Sequence, residues 1–214
     1  REHVSERFAE GIRAMFGARV DEVLTHPRYR LHVLTSRGRH VLRHDGRVRA
    51  PLGYAGAFLT NLASRRAMGG WLERAVFSSH LADAAALPFA AHDYRTRRYA
   101  LTAQNFEPVV QASCSIPFVL DAVTDIPGAP PGAYWDGGIT DYHLHLDYRR
   151  AVAEPQARGA VVPYPHFQRA VVPGWLDKSL RWRHHASRFL DDVIVLAPDG
   201  AWELLPAWRH GVSA

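Results

Sequence analysis

Apolar and polar residues alternate along this chain with the spacings of short helices and strands. Phe8, Ile12, Met15 and Phe16 recur at helical intervals, so residues 4–16 predict an amphipathic helix that ends at Gly17. The same reasoning predicts helices over residues 55–67, 71–77 and 106–113. Alternating or short apolar runs predict strands over residues 29–34, 40–43, 99–102, 118–122 and 133–135.

Two further apolar runs, over residues 160–163 and 192–197, are rich in β-branched side chains and are bounded by turn residues. Such runs are typical of buried parallel strands. Helices alternating with buried strands indicate an α/β architecture with a mainly parallel sheet between helices. The chain has 214 residues, of which 47% are hydrophobic, and it shows no repeat or low-complexity linker. We therefore expect residues 1–214 to form a single domain.

The predicted strand over residues 133–135 runs directly into Asp136-Gly137-Gly138. An aspartate in this position lies at the carboxyl end of its strand, where α/β folds place their sites. The two glycines allow a turn with positive φ and a close approach to neighbouring backbone. A shielded, hydrogen-bonded aspartate is what a nucleophile needs as its base. A plain turn is the more common meaning of such a triplet on its own.

A second segment, Ala-Ser-Cys-Ser-Ile-Pro over residues 112–117, precedes this triplet. In this order the two segments resemble the patatin-like phospholipase family of serine acyl hydrolases, most clearly over residues 106–144. The resemblance implies a patatin-like variant of the α/β hydrolase architecture and hydrolysis of carboxylic esters in lipids by a Ser–Asp dyad. It also implies that Asp136 is the catalytic aspartate, that Gly137 and Gly138 shape the active-site loop, and that no cofactor is needed.

The family's other motifs are not in this sequence. Gly-x-Ser-x-Gly, which holds the serine on a strand-to-helix elbow, does not occur, and neither does the Gly-rich oxyanion loop. After the glycines, residues 139–144 read Ile-Thr-Asp-Tyr-His-Leu, where the family usually continues toward Asn-x-Pro. We therefore expect this chain to be the carboxyl-terminal portion of such a hydrolase, without its N-terminal strands. It would carry the aspartate, lack the nucleophile, and be inactive alone.

Other residues of reactive type have more ordinary interpretations. Ser113, Cys114 and Ser115 lack a glycine elbow, which favours packing at a helix end, and free cysteines such as Cys114 are commonly buried. Asp141, His143 and His145 would share a face of an extended segment and could bind a metal ion. No further ligand is evident, so a polar surface is the default interpretation and no metal is predicted.

The net charge of +5 is concentrated in one strip, in which Asp45 is the single acid. Its arginines are Arg28, Arg30, Arg37, Arg39, Arg43, Arg47 and Arg49. Such a strip can bind phosphate in lipid headgroups or nucleic acid, although a solvated face is its usual meaning. Aromatic residues do not interleave with it and no nucleic-acid module is evident, so no nucleic-acid partner is predicted.

The predicted partners are a lipid or ester substrate and, peripherally, a membrane surface. Two rival functions remain open. One is a catalytically inactive, patatin-like binding or scaffold module that keeps Asp136 by descent. The other is an Arg-rich phosphate or nucleic-acid binder. The oligomeric state is undetermined, and the single cysteine leaves the compartment open, with the cytoplasm favoured.

Overall fold

The computed structural model describes residues 2–80, 87–90, 94–148, 161–185 and 187–199. Helices and strands follow one another along these ranges, which confirms the α/β class. The strands are β1 (His32–Gly38), β2 (Leu72–Ser78), β3 (Thr96–Ala100), β4 (Val123–Thr124), β5 (Ala133–Asp136), β6 (Val162–Pro165) and β7 (Val193–Leu196). The helices are α1 (Glu2–Phe16), α2 (Val20–Leu24), α3 (Arg49–Ala63), α4 (Arg65–Met68), α5 (Phe106–Ser113) and α6 (Gly138–Asp141). Short 3-10 helices cover Gly17–Arg19, His40–Arg43, Trp175–Asp177, Arg181–Arg183 and Arg188–Leu190.

The main sheet has five strands in the order β3-β2-β1-β5-β4. β1 pairs antiparallel with β2 and β5, and β4 pairs antiparallel with β5, whereas β2 and β3 run parallel. A separate two-stranded sheet pairs β6 with β7 in parallel. The sheets together are therefore mixed, and the expected mainly parallel arrangement is wrong for β1 and both of its neighbours.

The antiparallel pairing of β1 and β2 follows from the path of the chain between them. The residue Gly38 at the end of β1 pairs with Leu72 at the start of β2. The backbone N–H of Arg39 also donates to the carbonyl of Trp71 at 2.8 Å. Residues 39–71, with α3 and α4, thus leave the sheet and return to the same end of it. A connection that returns to the end it left joins antiparallel strands.

β2 is a strand, although the apolar spacing over residues 71–77 predicted a helix. All 7 residues of β2 are buried. A strand buried on both faces carries no alternation that distinguishes it from a buried helix. Its charged residues are paired: Arg74 with Asp141 of α6, and Glu73 with Arg37 of β1. Tertiary burial, rather than local periodicity, therefore decides the conformation here.

Several other predictions are confirmed or corrected. α1, α5 and β5 occupy the predicted segments. Residues 40–43 form a 3-10 helix instead of a strand, and residues 118–122 are irregular, with a φ of 71° at Phe118. β6 and β7 are parallel as expected, but their residues alternate between half-buried and exposed, because only one face of this small sheet is covered.

The main sheet lies between two helical layers. On one face, Phe106 and Val109 of α5 pack against Phe77 and Tyr134. On the other, Tyr54 of α3 belongs to the apolar cluster that contains Trp135. Tyr134 and Trp135 are neighbours in β5, so their side chains serve opposite faces of the sheet. Within the described ranges, no helix combines the length and apolar character that crossing a bilayer would demand.

Candidate functional site

Asp136 is the last residue of β5, beside the central strand β1. It pairs with Thr35 across the antiparallel ladder. Its backbone N–H donates to the carbonyl of Ser115 at 3.0 Å. The two segments that carry the family resemblance, residues 112–117 and the triplet that starts at Asp136, are therefore in direct contact.

Gly137 and Gly138 lie at the start of α6, where backbone from β1 passes very close. A Cβ atom at Gly137 would lie 2.3 Å from the carbonyl oxygen of Leu34. The expected close approach is therefore confirmed. The expected positive φ is wrong, since φ is −61° at Gly137 and the described glycines with positive φ are Gly128 and Gly132. Gly137 is required for space, not for an unusual backbone angle.

The carboxyl group of Asp136 is half-buried and is anchored through one oxygen. The N–H of Gly138 donates to its Oδ1 at 2.6 Å. In the part of the chain that the structure describes, Oδ2 accepts no hydrogen bond. Burial raises the pKa of Asp136, and the hydrogen bond from Gly138 opposes that rise. A carboxylate with a raised pKa and one unoccupied oxygen is suited to accept a proton from a nucleophile.

Two cavities meet at Asp136. The smaller has a volume of about 180 Å³ and lies between Ile116 and Trp175. The larger, of about 370 Å³, lies beside β1 and extends to Ser113 and Leu144. Asp136 lines both. The half-buried carboxyl group therefore borders two open clefts.

The side chains of residues 113–115 are poor candidates for a nucleophile. The two serine hydroxyls donate hydrogen bonds to backbone carbonyls, and the thiol of Cys114 has a raised pKa. Ser113 Oγ donates to the carbonyl of Leu34 at 2.8 Å, and Ser115 Oγ donates to the carbonyl of Gln111 at 2.9 Å. These bonds agree with packing at the end of α5. Cys114 is exposed, which corrects the expectation of a buried thiol. Partial burial of its sulfur and then the charge of Asp136 raise the pKa of Cys114, which disfavours the reactive thiolate.

Asp141, His143 and His145 do not form a common site. Both carboxylate oxygens of Asp141 accept hydrogen bonds from Arg74, at 2.5 and 2.6 Å. His145 Nε2 instead lies 2.8 Å from Ser187 Oγ. Asp141 and His143 are only 2% and 1% exposed, so the default interpretation of a polar surface is wrong for both. Among the residues described, no group of three or more His, Cys, Asp or Glu is placed to hold a metal ion.

Tyr142 and Lys178 belong to the site, although sequence reasoning did not place them there. Both line the smaller cavity with Asp136. The Nζ atom of Lys178 lies 4.3 Å from the centroid of the Tyr142 ring, a cation–π distance. Tyr142 falls in the stretch that departs from the family pattern, so no motif marked it. The available signal for Lys178 was that it is the one lysine in an arginine-rich sequence.

The arginine strip is partly structural. Arg37 pairs with Glu73 at 2.9 Å, and the Arg39 guanidinium donates to the carbonyl of Gly69 at 2.8 Å. A solvated face therefore does not describe Arg37 and Arg39, which are half-buried. The exposed members of the strip are Arg28, Arg30, Arg43, Arg47 and Arg49.

No protein-family model matches this chain, and comparisons with curated proteins and with solved structures gave no significant match.

Proposed function

We propose that this chain carries the aspartate half of a patatin-like lipid acyl hydrolase. The observation that supports this most directly is the Asp136 carboxyl group. It is half-buried, anchored by Gly138 through Oδ1, and bordered by two cavities. Its contact with Ser115 joins the two segments on which the family resemblance rests.

The proposed reaction needs a serine from outside these 214 residues. As the serine oxygen attacks the acyl carbonyl carbon, its proton passes to Asp136 Oδ2. The alcohol leaves with that proton, and an acyl-enzyme ester remains. Water then attacks this ester, gives a proton to Asp136, and releases the fatty acid as the serine regains its proton. A raised pKa helps Asp136 to hold the proton between these steps.

The walls of the smaller cavity are compatible with an amphipathic ester. Ile116, Ile139 and Trp175 provide apolar surface for an acyl chain. Lys178 places a cation at the same cavity, where a phosphate or another polar group of the substrate would be favoured. These residues therefore support a lipid over a uniformly polar ester.

The test compares Asp136→Asn with Asp125→Asn in the complete translation product of the gene. Asp125 is a matched control because it is exposed, its φ is 54°, and asparagine tolerates that region and keeps the acceptor for the N–H of Gly132. We expect Asp136→Asn to lower kcat for p-nitrophenyl esters by about 10²- to 10⁴-fold. Asp125→Asn should stay within about twofold of wild type, the range expected for an exposed surface change.

Three further results bear on this proposal. The 214-residue chain alone should neither hydrolyse these esters nor react with a fluorophosphonate serine probe. Wild-type turnover in Asp136→Asn would exclude the dyad. A complete product that folds but contains no probe-reactive serine would instead favour the inactive scaffold module.

A further inference from the structure

α3 is apolar on the side that faces solvent as well as on the side that faces the core. Its buried residues include Ala50, Tyr54 and Ala57. Exposed apolar residues recur at every third or fourth position from the N-cap onward and therefore share one face. This outer stripe consists of Val48, Leu52, Ala55, Leu59 and Leu62. Leu52 and Leu59 are 64% and 65% exposed. Surface helices of globular proteins normally carry polar residues on this face. An exposed apolar stripe of this kind therefore indicates a binding surface.

Positively charged residues flank the outer stripe in the sequence. Between Val23 and Leu72 the only acid is Asp45. The Asp45 carboxylate is engaged locally, because its Oδ1 accepts from the N–H of Gly46 at 2.7 Å. Exposed arginines lie close in sequence to both ends of α3. They are Arg43, Arg47 and Arg49 before and at its start, and Arg66 after its end.

This combination favours an anionic lipid surface over a second copy of the chain. Interfacial helices pair an apolar face with flanking cations, which bind acidic headgroups. In a symmetric dimer through the outer stripe, either relative direction of the two helices would bring arginine-bearing ends together. That arrangement costs energy unless acids intervene, and α3 contains none.

α3 also lies next to the site. The Tyr54 ring, on its inner face, is 6.0 Å from the ring of Trp135 and 6.3 Å from that of Trp175 between centroids. Trp175 lines the Asp136 cavity. Tyr54 also contacts Phe118, at 5.5 Å, and Phe118 and Val119 are 48% and 58% exposed. Exposed apolar surface therefore occurs both on α3 and on the loop that follows Pro117, another residue of the same cavity.

We propose that the outer stripe and its flanking arginines dock this protein on an anionic membrane surface, with the Asp136 cavity beside the docked face. The inference builds on the proposed function only in its choice of lipid as the partner. Docking itself requires no hydrolysis, so it can be measured on the 214-residue chain.

The first test is flotation with vesicles of phosphatidylcholine, either alone or with phosphatidylglycerol. We expect the chain to float with the anionic vesicles and only weakly with the neutral ones. Leu52→Gln with Leu59→Gln should lower the partition coefficient by at least about tenfold, because glutamine keeps helix propensity but removes apolar surface. Arg47→Gln with Arg49→Gln should lower it by about tenfold on anionic vesicles only.

The matched control is Val4→Gln with Met15→Gln on α1, where the two apolar side chains are 53% and 70% exposed. This variant should bind like wild type. Equal losses in the control and in the α3 variant would overturn the proposal, since general hydrophobicity would then explain binding. Binding that depends on the arginines but not on Leu52 and Leu59 would overturn it as well and would favour the phosphate-binder function.

A second measurement reports insertion directly. In a Cys114→Ser background, a polarity-sensitive dye is attached at Leu59→Cys or at Met15→Cys. Anionic vesicles should blue-shift the emission from position 59 and leave position 15 unchanged. No shift at position 59, or a shift caused by protein concentration without vesicles, would contradict docking, and the latter would identify self-association through α3.

The two proposals fail separately. Loss of esterase activity in Asp136→Asn with unaltered vesicle binding supports both. If Asp136→Asn retains full turnover and the protein still binds vesicles, the proposed catalytic role of Asp136 is wrong, whereas the docking proposal is supported.

Discussion

Gly137 owes its identity to the distance between β5 and β1. The Leu34 carbonyl fills the space that any side chain would occupy. The preceding residue, Asp136, pairs with Thr35 of β1, so the close approach of the two strands also positions Asp136. The geometry of the carboxyl group therefore depends on a packing constraint at the next residue.

Gly137→Ala should destabilise the fold strongly. A Cβ atom 2.3 Å from backbone oxygen forces the strands apart, with an expected cost of about 2–4 kcal/mol. Gly11→Ala is the matched control, because a Cβ there meets nothing within 4 Å and the residue lies inside α1. It should raise stability by about 0.5–1 kcal/mol in urea denaturation. Equal behaviour of the two variants would refute the close approach.

Asp136→Asn should change the pH dependence of stability. The pKa of Asp136 is raised on folding, so its contribution to stability is complete below the unfolded-state pKa and is lost as pH rises through the folded-state pKa. Asparagine does not titrate, and its amide oxygen can still accept the Gly138 N–H. We expect the variant to be more stable than wild type near pH 8, with the difference disappearing toward about pH 3. A less stable variant at pH 8, measured by urea midpoints, would show that the ionised carboxylate is stabilised instead.

The position of α6 relative to the sheet depends on one buried ion pair. Arg74 of β2 is fully buried and Asp141 is 2% exposed, and the guanidinium donates to both carboxylate oxygens. Arg74 also donates to Thr96 Oγ1 at 3.2 Å, which links β3 to the same group. α6 begins with the glycine that anchors Asp136. The pair therefore supports the site from a distance.

Arg74→Met should destabilise the protein by about 3–5 kcal/mol, because it leaves the Asp141 charge buried without its partner. The double variant Arg74→Met with Asp141→Leu should recover at least half of that loss, since no unpaired charge remains. Arg19→Met, which breaks the exposed pair with Glu22, is the control and should leave the denaturation midpoint unchanged. If the double variant is as unstable as Arg74→Met alone, the loss of stability comes mainly from the changed side-chain shape and not from the unpaired charge.

The whole molecule combines a protected sheet edge with an unprotected helix face. The edge strand β3 carries the exposed residues Arg97 and Arg98, which discourage pairing with another chain. β4, at the other edge, is only 2 residues long. α3 in contrast presents apolar residues to solvent on the excursion between β1 and β2. The flotation experiment above therefore probes a property of the molecule as a whole, not of a single element.

Local sequence was sufficient where an apolar period or a clear turn signal marks an element. α1 and α5 could be predicted because their apolar residues keep a helical period. β5 is buried on both faces, and its short apolar run could be predicted because it ends at the turn residues Asp136-Gly137-Gly138. The contact between this triplet and residues 112–117 agrees with the order of the two motifs. The sequence by itself thus determined these elements and identified the candidate aspartate.

Tertiary structure decided the rest. The sequence of β2 has no strand periodicity because both of its faces are buried. Its antiparallel direction follows from the connection over residues 39–71, whose two ends are joined by the hydrogen bond between Arg39 and Trp71. The sequence indicated that Asp141 is a surface residue or a metal ligand, whereas in the structure it is paired with Arg74, 67 positions earlier in the chain. The physical reason is the same in each case. The periodicity of a sequence reports which residues contact water. Strand direction, ion pairing and the space available at Gly137 depend instead on contacts between residues that are far apart in the chain.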